Sequence, residues 1–434
     1  VIRIAHLKSL LHREHTMTGF SRINGTLEVD GISLEDIAAR FGTPLYIYSA
    51  AGIRASYTRF TDALAGTKSR VHFAVKSNSN LAILRLLGRL GAGADIVSGG
   101  EMQRALKAGI APEAIIFSGV GKSDEEITSA LEAGIGQINA ESEAEVRRIL
   151  FLAQSCGKKS RLALRINPDV DASTHAKIST GKSDTKFGIN RESALALYRD
   201  IAESGVMEPG GLAVHIGSQI MTLTPFRDAW TTLLDMAKEL EAEGLPVPQL
   251  DLGGGIGIDY QTGTPADIEA FGDLVRSVFG NQPYHLGFEP GRFLTAESGI
   301  LLTETLYTKS SPDKRFIIVD AAMNDLIRPT LYEAYHRIET VADKGKATGP
   351  ADIVGPVCET GDYLGLDRMM PEVDKGDLLA VFSAGAYGAV MRSAYNTRPP
   401  AAEVLVLDGD VYPVSVPQRV EDLLALDCIP SVLD

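Results

Sequence analysis

The sequence predicts an α/β protein in which a (β/α)8, TIM-like barrel is joined to a second, mostly β domain. Three observations predict it. Short β-rich runs recur eight times between residues 71 and 292, separated by stretches with apolar residues at i, i+3 and i+4. Nearly every run ends in polar or glycine residues, and in such a barrel the C-terminal strand ends form the active-site face, where these groups would converge. Beyond about residue 300 the alternation gives way to strands and a hairpin. A doubly wound open sheet is the rival arrangement, and the polar run endings favour the barrel.

The elements follow in order. Residues 1–16, VIRIAHLKSLLHREHT, alternate apolar with basic residues and lack a signal-peptide layout; they read as a cloning remnant or an alternative upstream start, disordered in either case. Residues 17–47 are an N-terminal segment assigned to the β domain: ISLEDIAARFG (32–42) reads as a helix with Ser33 and Asp36 as its capping box and Gly42 as its stop, and LYIYS near residue 47 as a strand. Residues 48–300 are the barrel, with strands in VHFAVK (71–76), ADIVS (94–98), IIFSG (115–119), QINAE (137–141), LALRINP (162–168), GLAVHIGSQ (211–219), QLDLGGG (249–255) and HLGFEPGR (285–292). Residues 301–434 are the β domain, with FIIVD (316–320), LLAVFSAGAYG (378–388) and the hairpin EVLVLDGDVYPVSV turning at Asp408–Gly409.

Bulk properties narrow the function. A length of 434 residues exceeds one typical domain. The net charge of -14 argues against nucleic acid but leaves small anionic ligands open. No apolar run approaches the ~18 residues of a membrane span. Cys156, Cys358 and Cys428 are odd in number and far apart, which points to free thiols in a reducing, cytoplasmic compartment. No HExxH, CxxC or carboxylate cluster at metal spacing occurs, so no metal is expected.

Four stretches carry candidate chemistry. In FAVKSNSN (73–80), Lys76 ends an apolar run; it either snorkels to water or is a reactive amine at the barrel mouth. In DLGGGIGID (251–259), three glycines after a strand leave N–H groups for a phosphate or simply make a tight turn. FEPGRF (288–293) sets Glu289 and Arg292 at one strand mouth, as site groups or a surface pair, and VHIGSQ (214–219) adds His215 and Ser218. Together, an amine, a phosphate cradle, an imidazole and a carboxylate at strand ends are what pyridoxal 5'-phosphate needs. The amine takes the aldehyde, and an acid beside the pyridine nitrogen keeps it protonated, so that the ring accepts electrons.

FAVKSNSN, HIGSQ, GGG, EPGR, GPVCETGD (355–362) and GAYG (385–388), in that order, closely resemble the fold-type III pyridoxal-phosphate decarboxylases, with an alanine racemase-like fold. Within them the sequence is most similar to the branch that converts meso-2,6-diaminopimelate to L-lysine and CO2, the last step of lysine synthesis. The resemblance implies that Lys76 is the Schiff-base lysine, that His215 stacks on the cofactor ring, and that Ser218 and Gly253, Gly254 and Gly255 lie near the phosphate. It implies Glu289 at the pyridine nitrogen, with Gly291 and Arg292 completing that motif and Arg292 reaching substrate. It also implies Arg328, Tyr332, Glu359 and Tyr387 as substrate residues, Tyr387 touching the phosphate as well, and Cys358 as proton donor. It further implies a homodimer with active sites at the interface, Cys358 and Glu359 coming from the partner chain. Racemase relatives place an arginine where Glu289 stands, so the carboxylate favours decarboxylation. Ornithine, arginine or carboxynorspermidine-type substrates are the alternatives, and the distal end decides: Arg328 with Tyr332 suits a far carboxylate and Glu359 a far ammonium. A cofactor-free lysine aldolase and a non-catalytic cofactor carrier are readings from other classes. The loop ISTGKSDTKFG (178–188) is expected to border the site as a lid.

Overall fold

The computed structural model describes residues 18–171, 180–181, 185–261 and 266–433. The readings of residues 1–16 and of the 178–188 stretch as a lid therefore lie outside the described residues, the second in part. The chain divides into two compact units: Tyr57–Ile258 with Pro265–Leu294, and Val1–Ser56 with Asp259–Thr264 and Thr295–Asp434.

The first unit is a closed barrel of eight parallel strands: Ser69–Ala74, Gly93–Ile96, Ile115–Phe117, Gln137–Ala140, Arg161–Ile166, Glu208–Val214, Gln249–Asp251 and His285–Phe288. The eighth strand closes on the first, Leu286 facing Ser69 and Phe288 facing Val71. All eight expected runs hold these strands, and the rival open sheet is excluded. Helices follow the first seven strands, among them Leu81–Arg89, Gly99–Lys107 and Thr224–Ala242. Their starts explain part of the polar run endings. Asn80 accepts from Ala82 N and Ser98 from Glu101 N, so these residues cap helices, and Ser123 with Glu126 forms a full capping box. Outside the barrel wall, Phe60, Phe226, Trp230, Phe271 and Phe288 pack edge-to-face and tilted with centroids 5.2–6.5 Å apart. Trp230 Nε1 also donates to Leu252 O at 3.3 Å, which ties this cluster to the start of the glycine run.

The second unit is built on a nine-stranded sheet. Its main path runs Tyr363–Pro371, Thr348–Val354, Arg315–Val319, Gly299–Ser310, Leu45–Ser49, Ala402–Leu407 and Asp410–Pro413; Leu378–Val381 pairs with Gly299–Ser310 and with Ile338–Thr340. Phe20, Leu27, Leu34, Ile37, Leu45, Ile47, Ile300, Leu302, Val404 and Val406 form its core. The hairpin turns at Asp408 (φ 52°) and Gly409 (φ 90°), the two positive angles that a two-residue turn of this hand requires. Two details differ from expectation. The helix Leu34–Phe41 is capped by Ser33 accepting from Glu35 N, and Asp36 closes no capping box: the serine reaches the second helical N–H, not the third. The run 378–388 is strand only over Leu378–Val381, because Ser383 and Tyr387 take positive φ and turn the chain.

Candidate active site

Lys76 follows the first barrel strand in a tight turn, Val75–Ser77, that the neighbouring polar residues hold. Ser77 Oγ donates to Ala74 O at 2.7 Å, and Asn78 Oδ1 accepts from Asn80 N at 3.1 Å. The serine and asparagines therefore turn the backbone, while the lysine is presented. Gly291 is required against this turn, since a Cβ there would sit 2.8 Å from Ser77 Oγ. Lys76 Nζ donates to Asp95 Oδ2 at 3.3 Å, and Asp95 is fully buried. The side chain is one-third exposed, yet it does not snorkel as a strand-end lysine ordinarily does; it is anchored by a carboxylate in the barrel interior.

Polar residues inside the barrel form a connected file. Gln137 Nε2 donates to Asn139 Oδ1 (2.7 Å), Asn139 Nδ2 to Ser118 Oγ and Asp251 Oδ2 (both 3.3 Å), and Ser118 Oγ to Glu289 Oε1 (3.4 Å). Glu289 and Asp251 are interacting buried acids. Burial pushes the Glu289 carboxyl well above its ordinary range, and the charges of Asp251 and Asp95 push it further. Asp251 is raised as well, burial being the main cause. Glu289 is thus a buried carboxyl group at the barrel mouth whose surroundings favour its taking up a proton. Beside Lys76, burial pushes Glu101 up to about 7, with Asp95 adding to the rise.

His215 Nδ1 accepts from Gly254 N at 3.2 Å, so the ring is neutral with its proton on Nε2. Desolvation, then Lys76, then Arg165 hold its pKa well below the ordinary value. The three glycines are needed for contact as well as for turning: a Cβ would lie 2.2 Å from Val214 O at Gly253, 2.1 Å from Glu289 O at Gly254 and 2.4 Å from Gly217 O at Gly255. The anion cradle is narrower than the sequence implies. Gly253 N donates to Asp251 Oδ1 and Gly254 N to His215; among the described residues, Gly255 N–H has no protein acceptor. Arg292 Nη2 donates to Ser218 Oγ at 2.9 Å, which joins a cation to the hydroxyl on the neighbouring loop.

The model of the pyridoxal-dependent decarboxylase, pyridoxal binding domain, matches residues 50–296. The chain is 50% identical to the diaminopimelate decarboxylase of Zymomonas mobilis over 94% of its own length and 98% of the relative's. It is 47% identical to that of Pseudomonas aeruginosa, with the same coverage. The chain belongs to the diaminopimelate decarboxylase family. The crystal structure of the Helicobacter pylori diaminopimelate decarboxylase complexed with L-lysine matches with a TM-score of 0.87 at 41% identity, covering 90% of this chain and 98% of that one.

The family's cofactor, pyridoxal phosphate, fits the residues present. An amine stands at a strand end for its aldehyde. A neutral imidazole adjoins the glycine turn, where any Cβ would strike a neighbouring backbone carbonyl, and a buried carboxyl whose pKa is raised by burial is available to its ring nitrogen.

Within the second unit, Arg328 begins the helix Arg328–Tyr332 and is 6% exposed. Its guanidinium lies 5.0 Å from the Tyr260 ring centroid and 5.8 Å from that of Tyr332. The loop bearing Cys358 and Glu359 is laced to that helix: Thr330 Oγ1 donates to Gly361 O at 2.5 Å and Tyr363 OH to Pro329 O at 3.2 Å. Buried Asp362 accepts from Met323 N and Val357 N, at 2.7 and 2.6 Å. Cys358 and Glu359 are exposed, and Tyr395 OH donates to Glu359 Oε2 at 3.0 Å. Tyr387 sits on the turn after Leu378–Val381, at φ 56°. Sequence reasoning missed Asp95, Asp251, Tyr260 and His336. For the two aspartates a signal existed, an acid inside a run that is otherwise apolar and buried.

Proposed function

We propose that this chain decarboxylates meso-2,6-diaminopimelate to L-lysine and CO2, as the last step of lysine synthesis, with Lys76, His215 and Cys358 as catalytic residues. When bound, pyridoxal phosphate supplies a ring that accepts the electron pair left at Cα as CO2 departs. Lys76 would hold the cofactor by its aldehyde, and Asp95, 3.3 Å from Nζ, would pair with the lysine whenever its amine is free and protonated. Glu289 would stand at the ring nitrogen and hold a proton there; burial first, then the charges of Asp251 and Asp95, raise its pKa, so it has a proton to share. His215 would stack on the ring, and its neutral imidazole would add no positive charge beside that nitrogen. Ser218, Gly253, Gly254, Gly255, Gly291, Arg292 and Tyr387 bind the cofactor, and Arg292 and Tyr387 also reach the substrate. Arg328 and Tyr332 grip the far carboxylate, Glu359 the far ammonium, and Cys358 gives a proton to Cα.

The observation that carries this reading is Glu289. A buried acid placed to keep the ring nitrogen protonated makes a deep electron sink, which suits loss of CO2. Identities of 50% and 47% to diaminopimelate decarboxylases over 94% of the chain support the substrate. We further propose a cytoplasmic homodimer in which the partner's exposed loop supplies Cys358 and Glu359; the exposed thiol supports both points. The test is the purified, cofactor-loaded protein assayed with meso-diaminopimelate, ornithine and arginine. Stoichiometric lysine and CO2 from the first alone is expected; faster turnover of ornithine or arginine would overturn the assignment.

A further inference from the structure

Arg328 is fixed along one edge and over its face. Its Nε donates to His336 Nε2 at 3.2 Å. His336 is wholly buried, and its Nδ1 lies 2.8 Å from Phe382 O. A carbonyl oxygen only accepts, so Nδ1 carries the hydrogen, and the lone pair on Nε2 is turned to the arginine. The Tyr260 ring covers the guanidinium at 5.0 Å and meets the His336 ring edge-on, at 5.0 Å and 71°. The backbone carbonyl thus orients the imidazole, the imidazole sets the Nε edge, and the phenol ring sets the face. A guanidinium reads a carboxylate through two parallel N–H bonds only when its plane contains that carboxylate. With Nε–H given to His336, the terminal nitrogens make up the reading edge.

We propose that His336, with Tyr260, is the positioning residue that sets the plane of Arg328 and so the preference for a substrate carrying a carboxylate at its far end. This rests on Arg328 gripping that carboxylate. Neither residue touches the substrate or the cofactor in this proposal; they act through the arginine.

The test uses the holoenzyme and its His336→Leu, His336→Gln, Tyr260→Leu and Arg328→Ala variants. Three quantities are measured: KM and kcat for meso-diaminopimelate, calorimetric Kd for L-lysine, and Kd for 1,5-diaminopentane, which lacks the carboxylate. His336→Leu should raise KM and the lysine Kd about tenfold, the scale of one lost hydrogen bond to a charged group. Its kcat, cofactor absorption band and diaminopentane Kd should stay within about twofold. His336→Gln, which keeps an acceptor within reach of Nε, should recover most of the loss. Tyr260→Leu should act in the same direction. A His336→Leu enzyme with unchanged lysine Kd, beside an Arg328→Ala enzyme that binds lysine poorly, overturns the positioning role while sparing the arginine grip. An unchanged lysine Kd in Arg328→Ala overturns the grip itself, and the proposal with it. Equal weakening of lysine and diaminopentane, or failure of both His336→Leu and Tyr260→Leu to load cofactor, marks the pair as supports of the fold and overturns the specificity role.

Discussion

In the barrel, three buried carboxyl groups, Asp95, Asp251 and Glu289, gather near one amine; in the second unit, one buried guanidinium, Arg328, is held by an imidazole and two phenol rings. The barrel groups can exchange protons, and their surroundings decide which of them do. Desolvation drives Glu289 and Asp251 toward the neutral form, while the ammonium of Lys76 keeps a partner in Asp95. Arginine cannot lose its proton, so its neighbours must supply lone pairs and π faces instead. Mobile protons suit bond making and breaking, and a fixed charge suits recognition. Under the proposed function, the proton-exchanging groups would serve the chemistry and the fixed charge the recognition.

The largest expected effect removes the amine. Lys76→Ala should lose the visible imine band that borohydride bleaches. Turnover should fall by a factor on the order of 10^3 or more, at ~1.4 kcal/mol per decade. A reducible band surviving in the variant would place the covalent link elsewhere.

Mixing that variant with Cys358→Ala asks whether the two regions serve one site within a chain or across a pair of chains. If the thiol crosses a two-fold interface, each hybrid dimer has one site with both groups intact. Equal mixing should then restore about a quarter of full activity. Verified hybrids as inactive as their parents would confine lysine and thiol to one chain or make the thiol dispensable.

Glu289→Gln keeps the shape but removes the exchangeable proton. It should lower kcat by roughly 10^2–10^3, within the range for proton-transfer groups, with KM for diaminopimelate nearly unchanged. A rise in KM at constant kcat would assign the acid to recognition and blur the division.

The smallest effect is on stability. His72, buried in the first barrel strand with Nδ1 3.1 Å from Ala114 O, has its pKa pushed down to about 4 by burial first and Arg70 second. In the unfolded chain it takes up a proton near 6.5, and the folded barrel refuses that proton until about 4. The contribution is therefore complete above pH 6.5 and lost as pH falls through that window, on the order of 3 kcal/mol in all. Urea midpoints followed by the fluorescence of Trp230, the single tryptophan, should fall between pH 7.5 and 4.5 more in wild type than in His72→Gln. Equal falls would rule out His72 as a source of acid lability.

The barrel was legible because its strands are short, apolar and regularly spaced, and Lys76, His215 and Glu289 because they end such strands. What Lys76 rests on was not legible. Asp95 lies two residues into its strand, and only the register that sets Ala74 beside Asp95 reveals the pair. Ser98, read as a mouth residue, is a helix cap, since one serine at a strand end serves either purpose. The glycine run foretold its close contacts but not that His215 and Asp251 take two of its N–H groups. Tyr260 and His336 are 76 residues apart in sequence and carry no local pattern that joins them.

The strand Leu45–Ser49 is buried along its whole length. One neighbour begins at Gly299, and the other, Ala402–Leu407, is parallel to it and about 350 residues later in the chain. During synthesis, every residue of the barrel leaves the ribosome before either neighbour does. Domains usually complete in order from the N-terminus. Here the barrel can close while one of the earliest strands still has two bare, apolar edges, and its second edge is covered only when residues 402–406 emerge. A chain that stalls after the barrel would carry that open strand into the cell, the kind of edge on which aggregation starts.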